Sequence, residues 1–416
     1  MIFSNSNQQQ KIHMNICMVK NLGDFPPEIR LEKEVRTLQK AGHKITIVCS
    51  MKKYSTAHDI WEGCNVIRLP DKSSRFRKLW NYVVFNWTFY NRYWDINIDQ
   101  VIKKYHINVL HVHDLPMLRT SLTAAKRNKI PVVIDFHENY PGALPYYIDD
   151  GTFLSKILLS MISIKRWKRY EKTDSEAANH ILVVVDEAKE RLTSLGIDEK
   201  KITVLENTED VENFCSMEID PEIKTSYEKD FILLYVGGFG GDHRGLLTVI
   251  EAMPLIVKEI PNIRLVLVGD GPIKPRLKKM TKQLGLETKV TFIDWQPFEK
   301  VSSWINRGDI CIIPHNSNPQ TEATSPHKLF QYMLMKKPII VSSCRPLKRV
   351  IEECQAGLVF QAGDSVDFAE KVIDLKEEKV RFQFGEKGHL CATKKYNWEL
   401  LSYKLLNVYD RLEKAN

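Results

Sequence analysis

Short apolar runs alternate with longer amphipathic stretches along the first half of this chain of 416 residues. The apolar runs are NICMV, KITIVCS, CNVIRL, VLHVH, PVVIDF, HILVVV and ITVLEN. Such runs are typical of strands that are buried on both faces of a parallel sheet, and the stretches between them have the period of a helix. The pattern predicts βαβ units and therefore an α/β fold built on a doubly wound sheet.

The same pattern begins again after a polar, acidic stretch between Met217 and Asp230. The later runs are FILLYVGG, IRLVLVGDG, VTFIDW, ICIIPH, PIIVSS and GLVF. We interpret the polar stretch as a linker between two similar domains, because the chain is longer than a single hydrophobic core comfortably supports. The predicted domains are 1–215, completed by an amphipathic C-terminal helix at 397–416, and 216–396.

Composition places the chain among soluble globular proteins, since 43% of its residues are hydrophobic and 27% are charged. The polar start SNSNQQQK is unlike a signal or transit peptide, and we expect a cytoplasmic protein. Eight cysteines occur without a CxxC motif, and Cys17, Cys49 and Cys311 fall in predicted strands. We therefore expect reduced core cysteines and neither a zinc site nor a disulfide framework.

The formal net charge of +8 is compatible with nucleic acid, an anionic membrane surface or an anionic substrate as partner. Basic and aromatic residues interleave in Arg75 to Trp94, and basic and aliphatic residues in Lys156 to Lys172. A basic helix with an aromatic and aliphatic face is a candidate for the membrane interface. The alternative is that the aromatics belong to the core and the basic residues to a solvated face. No nucleic-acid-binding module is recognisable, so we expect no nucleic acid partner.

Chemistry in open parallel sheets is expected just after the strands, because ligands bind at their carboxyl ends. Gly23 follows the first run, and a glycine there lets backbone amides approach an anion. His113 follows VLHV, while His137 and Glu138 follow PVVIDF. A histidine beside carboxylates can bind a sugar hydroxyl or move a proton, although a structural role is the alternative for each histidine.

The second half carries a glycine-rich loop in YVGGFGGDHRGLL, with Gly238 inside it and Arg244 ahead of a predicted helix. The glycines do not form the GxGxxG pattern of a dinucleotide site in the right frame. Arg244 is more informative, because a guanidinium at this position can make bidentate contacts to a diphosphate and neutralise a leaving group.

A second anion signal lies in TSPHKLFQYMLMKKPIIVS. Ser325 predicts an N-cap and Pro326 suits the first helical position. His327 and Lys328 then fall in the first turn, where the helix dipole favours anions and disfavours cations. Basic residues there are explained if a phosphate is bound, which suggests a nucleotide diphosphate. The alternative is an ordinary helix end with a surface lysine and histidine.

In order and spacing, these motifs resemble those of the retaining GT-B glycosyltransferases of family 4 over almost the whole chain. The matching segments are PPEIRLEKEVRTLQKAGHKITIVCS, HVHDLPML, IDFHENYP, ITVLENTEDVENF, YVGG with HRGL, IRLVLVGDGP, VTFIDW, SPHKLFQYM with KKPIIVS, and NWELLSYKLLNVYDRL. The resemblance implies the GT-B fold, in which two doubly wound, Rossmann-like domains face a cleft.

The resemblance also implies a function. It is retaining transfer of a hexosyl group from a UDP- or GDP-linked donor to a glycan or lipid-linked acceptor, in polysaccharide or glycoconjugate synthesis. Neither a metal nor a cofactor is expected, because basic side chains and helix amides carry the charge of the diphosphate. The protein would work in the cytoplasm or at the inner face of the membrane, and the sequence does not fix its oligomeric state.

The implied site residues are His137, Glu138 and Arg244 for catalysis, and Gly23, Gly238, Arg244, Glu322, Pro326, His327, Lys328, Leu329 and Gln331 for the donor. Among these, Arg244 and Lys328 would hold the phosphates, helped by the amides of His327 and Leu329. Gln331 would bind the ribose. His137, supported by Glu138, would meet the donor sugar, and Gly23 would keep its loop close to the phosphates.

Three departures from the family pattern matter for these roles. The family usually has two glutamates eight positions apart, where this chain has Ala323, with Glu322 one residue out of register, and Gln331. The family's usual arginine after the glycine of YVG is replaced by Gly238. The departures leave alternatives open, namely a catalytically inactive GT-B scaffold or binding subunit, or an epimerase or phosphorylase of the same fold.

Overall fold

A computed structural model describes residues 13–21, 23, 25–51, 56–71, 74–148 and 162–415, without the side chains of 75–79, 147–148 and 415. Of the basic stretch predicted at Lys156 to Lys172, residues 156–161 therefore lie outside the described residues. Contacts divide the chain into two compact units. The first comprises Met1–Phe136, Thr173–Leu182 and Ser402–Asn416, and the second comprises His137–Lys172 and Val183–Leu401. The predicted domain boundaries stay predictions.

The first sheet has eight strands in the order β3-β4-β2-β1-β5-β6-β7-β8. They are β1 Asn15–Lys20, β2 Lys44–Met51, β3 His58–Trp61, β4 Cys64–Pro70, β5 Val109–His113, β6 Val132–Phe136, β7 His180–Val183 and β8 Ile202–Val204. In the parallel register, Cys17 of β1 lies between Thr46 and Leu110. One strand departs from the parallel arrangement, because β3 pairs antiparallel with β4. Its sequence HDIW is largely exposed, so it gives no signal of a buried strand.

The second sheet has six strands in the order β11-β10-β9-β12-β13-β14. They are β9 Phe231–Val236, β10 Ile263–Val268, β11 Val290–Ile293, β12 Ile310–Ile313, β13 Ile339–Ser342 and β14 Gly357–Phe360, all paired in parallel. Successive residues of β9 alternate between two cores, since Leu234 packs in one and Leu233 and Tyr235 in the other. Both faces of this sheet are therefore covered, as predicted from its uninterrupted apolar runs.

Helices connect the strands. The α-helices of the described residues are Ile29–Lys40, Arg75–Thr88, Arg92–Lys104, Leu118–Asn128, Tyr140–Ile148, Ile164–Ala177, Asp186–Ser194, Val211–Cys215, Pro221–Thr225, Leu246–Glu259, Lys274–Gln283, Val301–Arg307, Lys328–Leu334, Arg345–Cys354, Ser365–Asp374, Glu378–Lys394 and Trp398–Ala415. The predicted linker is thus not irregular throughout, because Pro221–Thr225 forms a short helix. The Asp220 side chain caps it by accepting from the N–H groups of Glu222 and Ile223.

The cysteines only partly follow the prediction. Cys17, Cys49 and Cys311 are buried and free, as expected. The expectation of no disulfide is wrong, because Cys354 and Cys391 are bonded to each other. They lie at the end of one helix and within another, 37 residues apart. The packing of these two helices brings the thiols together, because their sequence spacing is not that of a local CxxC motif.

Candidate anion-binding site

A tight turn in the second unit places Arg244 after β9. Residues Asp242–Arg244 form one turn of 3-10 helix, and Gly245 follows with φ +68°. A Cβ atom on Gly245 would lie 1.6 Å from the carbonyl oxygen of Pro314, so only glycine lets the turn approach the end of β12 so closely. The approach sets Arg244 Nη1 3.3 Å from Nε2 of His315.

Lys328 reaches the same end of the sheet from the helix Lys328–Leu334. Its Nζ lies 3.6 Å from the ring centroid of Tyr235, which is a cation–π contact. Gly237 has φ +140°, and a Cβ atom there would lie 2.3 Å from Lys328 Nζ. The absence of a side chain at Gly237 therefore gives the ammonium group its place beside the loop that follows β9.

The predicted start of this helix is two residues too early. The helix begins at Lys328 with His327 as its N-cap residue, so Pro326 is not its first helical residue. The Ser325 hydroxyl, which we predicted to cap the helix, makes no hydrogen bond to any described residue. Ser325 and Pro326 instead belong to the loop ahead of the helix, where both line a cavity.

The two cations have no anionic partner, because neither Arg244 nor Lys328 forms an ion pair with any residue that the structure describes. The consequences appear in the pKa values of their neighbours. Burial and the charge of Arg244 hold the pKa of Lys328 well below its usual value. Burial, together with Arg244, Lys328 and His243, holds the pKa of His315 well below 6.5.

His243, in the turn itself, responds in the same way. Burial and Arg244 lower its pKa from 6.5 to about 4, against a smaller opposing effect of Asp242. The ring of Tyr146 lies beside it, with 5.8 Å between the centroids. At neutral pH both histidines are therefore neutral while the arginine next to them is charged, and an anion bound here would relieve this excess of positive charge.

A cavity of about 140 Å³ opens at these groups. It is lined by Asn207, His243, Arg244, His315, Gln320, Thr321, Thr324, Ser325 and Pro326. Asn207 Nδ2 donates to the Ser325 carbonyl at 3.0 Å, which ties the segment after β8 to the loop before the helix. The lining combines one cation with neutral hydroxyl, amide and imidazole groups, a set that suits a phosphorylated, hydroxyl-rich ligand.

His137 and Glu138 are joined to the same loop. The His137 carbonyl accepts a hydrogen bond from Thr324 Oγ1 at 2.9 Å, and Glu138 Oε2 accepts from Gln320 Nε2 at 2.5 Å. Asn139 Nδ2 adds a bond to the Pro319 carbonyl at 2.9 Å. Both predicted catalytic residues are therefore held against residues that line the cavity, although their roles stay a prediction.

Other predicted donor residues take different positions. Gly23 lies in the first unit, with φ +85°, and its carbonyl accepts from Ser50 Oγ. Gly238 accepts a hydrogen bond from the Tyr235 hydroxyl at 3.0 Å. The carboxylate of Glu322 accepts from Ser317 Oγ and from the backbone N–H of Arg345. These partners lie outside the residues that line the cavity.

Leu329 and Gln331 have their nitrogen atoms engaged. The Leu329 N–H, which we expected to help bind phosphate, donates to the Pro326 carbonyl at 3.2 Å. The Gln331 Nε2 donates to Glu209 Oε1 at 2.9 Å, and both side chains are buried. His327 Nδ1 lies 3.2 Å from the same oxygen of Glu209. No sequence pattern indicates that Glu209 belongs to this group.

Some cavity residues could have been found from the sequence. His315 directly follows the run ICIIP and Asn207 closes the run ITVLEN, so both stand at the carboxyl ends of strands. Gln320, Thr321 and Thr324 carry no comparable pattern, because they lie in an irregular stretch and a 3-10 turn.

A separate buried cluster in the first unit contains Glu34, His111, His113 and Asp135, whose ligand-type atoms lie within 4.8 Å of one another. Arg30 already pairs with both oxygens of Asp135, at 2.7 and 2.9 Å, and lies 3.2 Å from Glu34. The guanidinium thus supplies the positive charge that these carboxylates need when buried. We attribute a structural role to the cluster, which is the alternative left open for His113.

Known proteins match both halves of the chain. Residues 28–213 match the family model described as Glycosyltransferase Family 4, and residues 230–378 match the one described as Glycosyl transferases group 1. The chain is 24% identical over 184 residues to the alpha-D-kanosaminyltransferase of Streptomyces kanamyceticus, which is 44% of the chain and 46% of that protein. It is 19% identical over 397 residues to a phosphatidyl-myo-inositol mannosyltransferase of Mycolicibacterium smegmatis, covering 91% of the chain and 88% of that protein.

The match thus spans about half the length of the first of these relatives and most of the second. Among solved structures, the sucrose-phosphate synthase of Thermosynechococcus elongatus is similar with a TM-score of 0.78 and 16% identity, over 97% of this chain and all (100%) of that one. The Anabaena protein HepE in complex with UDP-glucose is similar with a TM-score of 0.69 and 13% identity, over 97% and 100%. These similarities show the GT-B fold.

Proposed function

We propose, from the premise that this chain belongs to the GT-B glycosyltransferases of the family-4 type, that it transfers a hexosyl group with retention of configuration and without a metal ion. The donor would be a UDP- or GDP-linked sugar. The observation that carries the proposal is the unneutralised pair of cations, Arg244 and Lys328, at the carboxyl end of the second sheet. A diphosphate is the ligand whose charge and size suit that pair.

The two cations would act mainly on the leaving group. Negative charge grows on the terminal phosphate of the donor as the glycosidic bond breaks, and fixed positive groups stabilise that charge more in the transition state than in the ground state. Arg244 lines the cavity, and Lys328 lies behind the glycine loop. Both side chains are in place before ligand binds, and a bound diphosphate would favour the protonated form of Lys328, whose pKa burial and Arg244 lower.

His137 and Glu138 would bind the donor sugar beside the cavity. Their segment is fixed by Thr324 and Gln320, so the position of the sugar-binding groups depends on the same loop that precedes the phosphate-binding helix. The hydrogen bond from Gln320 keeps the Glu138 carboxylate in place, where it supports His137.

The test is a screen of the purified protein against UDP- and GDP-sugars, with thermal shift for binding and with release of nucleoside diphosphate for turnover. The expected result is hydrolysis or transfer of at least one donor, a product of unchanged anomeric configuration by proton NMR, and full activity in excess EDTA. Activity that EDTA removes and manganese or magnesium restores would contradict the metal-independent mechanism. Binding without turnover would favour the scaffold, and an epimerised sugar nucleotide would favour the epimerase.

For the acceptor we propose a lipid-linked glycan at an anionic membrane surface. In the helix Arg75–Thr88, Trp80 and Trp87 are 62% and 68% exposed, and Val84 lies between them on the same face. Tryptophan prefers the interface between headgroups and acyl chains. No helix of the described residues is long and apolar enough to span a bilayer.

The second basic stretch supports the membrane proposal through its charge alone. In the helix Ile164–Ala177, Trp167 and Tyr170 are buried, whereas Lys165 and Lys168 are exposed. The aromatics of this helix thus belong to the core, and its lysines would contribute charge alone, at about 1 kcal/mol for each residue near an anionic surface.

Cosedimentation with vesicles of phosphatidylglycerol and phosphatidylcholine would test the acceptor proposal. Binding at low salt that weakens as salt rises is expected, with a loss in a Trp80→Ser, Trp87→Ser double variant. Trp295→Ser is the matched control, because Trp295 is also 68% exposed but lies in the second unit, away from the proposed membrane-binding helix in sequence. Neutralising Lys165, Arg166, Lys168 and Arg169 should weaken binding further. Equal sedimentation with and without vesicles would favour a soluble acceptor.

A further inference from the structure

His243 is a buried histidine whose ring has no hydrogen-bond partner among the residues that the structure describes. Its side chain is 4% exposed, and neither Nδ1 nor Nε2 makes a hydrogen bond. A neutral imidazole carries one N–H donor and one acceptor, and burying such groups without partners is costly. An apolar side chain would avoid that cost, so the ring indicates a role that folding does not require.

The cavity beside this ring collects further polar atoms that lack partners in the described part of the chain. His243 lines the cavity together with Arg244 and Ser325. Nε of Arg244 and Oγ of Ser325 are buried and make no hydrogen bond, and Ser325 is 2% exposed. A guanidinium, a hydroxyl and an imidazole can all donate to phosphate oxygens. The cavity therefore offers three unsatisfied groups to an anion.

The charged groups of its own turn hold His243 in the neutral form in the protein without ligand. Burial and the charge of Arg244 lower its pKa to about 4. Asp242 opposes them, but its carboxylate lies 2.6 Å from Nη1 of Arg276 and is engaged there. At pH 6, about 1% of the rings are then protonated.

Groups from neighbouring elements in the described part of the chain bring no negative charge to the ring. Tyr146 contributes an aromatic ring, with 5.8 Å between the centroids. His315 is itself held neutral by burial, Arg244 and Lys328. An opposite charge within about 4–6 Å typically raises a pKa by about 1 to 3. A diphosphate in the cavity would thus bring the pKa of His243 to between about 5 and 7.

We propose that His243 is a ligand of the donor diphosphate and takes up a proton when the diphosphate binds. The proton comes from water, goes to the ring nitrogen that carries none, and returns to water when the nucleotide leaves, so no bond of the donor changes in this step. The inference rests on the proposed function, since it requires a diphosphate in the cavity. The site thereby gains a positive charge only while the anion is present.

Calorimetry in two buffers with different enthalpies of ionisation counts the protons that are taken up on binding. The probes are UDP-glucose and GDP-mannose, because the diphosphate of a nucleotide sugar is esterified at both ends and has no proton to exchange near pH 6. The wild type should take up about half a proton for each bound nucleotide sugar at pH 6. Its affinity should rise about tenfold between pH 7 and pH 5.

The variant His243→Gln separates a titrating ligand from a structural residue. An amide donates and accepts hydrogen bonds as a neutral imidazole does, but it takes up no proton in this pH range. The variant should bind within about threefold of the wild type at pH 8, and it should lose both the proton uptake at pH 6 and the gain of affinity at pH 5. His58→Gln is the matched control, because His58 is exposed and lies in the first unit.

The imidazole NMR signals of His243 in the wild type give a test that does not depend on the folding of a variant. Addition of UDP-glucose or GDP-mannose should raise the pKa of His243, and an unchanged pKa in the complex would overturn the inference. Proton uptake that persists in His243→Gln would place the proton on another group and would overturn it as well. So would a loss of affinity that is equal at pH 5 and pH 8, which is the result expected of a structural residue.

Failure of the inference can be distinguished from failure of the proposed function. A wild type that binds a nucleotide sugar without proton uptake contradicts the role of His243 alone. A wild type that binds neither nucleotide sugar contradicts the proposed function and the inference together.

Discussion

Replacing Arg244 by alanine should remove activity without removing stability. In a donor complex the guanidinium would face the diphosphate, where a hydrogen bond to a charged group contributes about 1.5 to 3 kcal/mol. Loss of one such group from a preorganised site typically lowers kcat by about 10²- to 10³-fold. The free protein loses little, because Arg244 makes no ion pair with any described residue and its Nη1 contacts a neutral group, Nε2 of His315, at 3.3 Å.

Stability should even rise slightly, since the change removes a positive charge beside Lys328, His315 and His243. The expected change in the free energy of unfolding lies within about 0.5 kcal/mol, because relief of the repulsion offsets loss of the contact with His315. A more specific sign is the pKa of His243, which lies at about 4 and should rise, because Arg244 is the second largest cause of its depression after burial.

Three measurements on the variant test this reasoning. They are initial rates with the donor found in the screen, thermal unfolding, and the pKa of His243 from its imidazole NMR signals. Arg276→Ala is the matched control, because Arg276 is exposed and pairs with Asp242 of the same turn at 2.6 Å. An exposed pair contributes about 0 to 1 kcal/mol, so the control should keep wild-type kcat.

Two results would refute the reasoning about Arg244. One is a kcat within threefold of the wild type, which would remove the guanidinium from the mechanism. The other is a fall in the melting temperature that accounts for the lost activity, which would make Arg244 a structural residue. An unchanged pKa of His243 would show that the two groups do not interact as their positions imply.

Two further predictions concern acid and reducing agents. The pKa of His243 is lowered from 6.5 to about 4, so between these pH values the unfolded chain binds more protons than the folded protein. Stability should therefore fall as the pH drops, by about 2 kcal/mol after allowance for solvent screening. Denaturant unfolding at several pH values should show a smaller dependence on pH for His243→Asn, with a residual slope from His315, and an unchanged dependence would contradict the assignment. The Cys354–Cys391 bond closes a loop of 37 residues and should contribute about 4 kcal/mol to stability through loop entropy. A reductant should therefore lower the melting temperature of the wild type but not that of Cys391→Ala. Equal melting temperatures for both proteins, with and without reductant, would show that the bond contributes nothing.

The sequence was most informative about the strands that are buried on both faces. A run such as FILLYV can only be placed where both faces are covered, and β9 indeed packs against two cores. The sequence pattern does not predict strand β3, because HDIW is short and polar and lies at the edge of the sheet. The disulfide escaped because its cysteines are distant in sequence and come together only through helix packing.

The candidate site was predictable where function places residues at strand ends. The position of Arg244 after a strand predicts its role, and Lys328 is predicted from the unfavourable interaction of a lysine with the dipole at a helix start. The cap was misplaced because Ser325 and Pro326 satisfy the local rules for a helix start, while the loop is held by tertiary bonds such as that from Asn207 to the Ser325 carbonyl. Local propensity was overridden by contacts across more than a hundred residues.

Position 331 shows why a motif read one residue at a time gives an incomplete account of a site. Taken alone, Gln331 is a lost carboxylate and an argument for an inactive protein. In the structure its amide meets Glu209, 122 residues away in the chain, and the pair still contains one carboxylate. A second carboxylate at position 331 would lie against Glu209, where two buried like charges could not both persist, so the buried neighbour explains the neutral amide at this position.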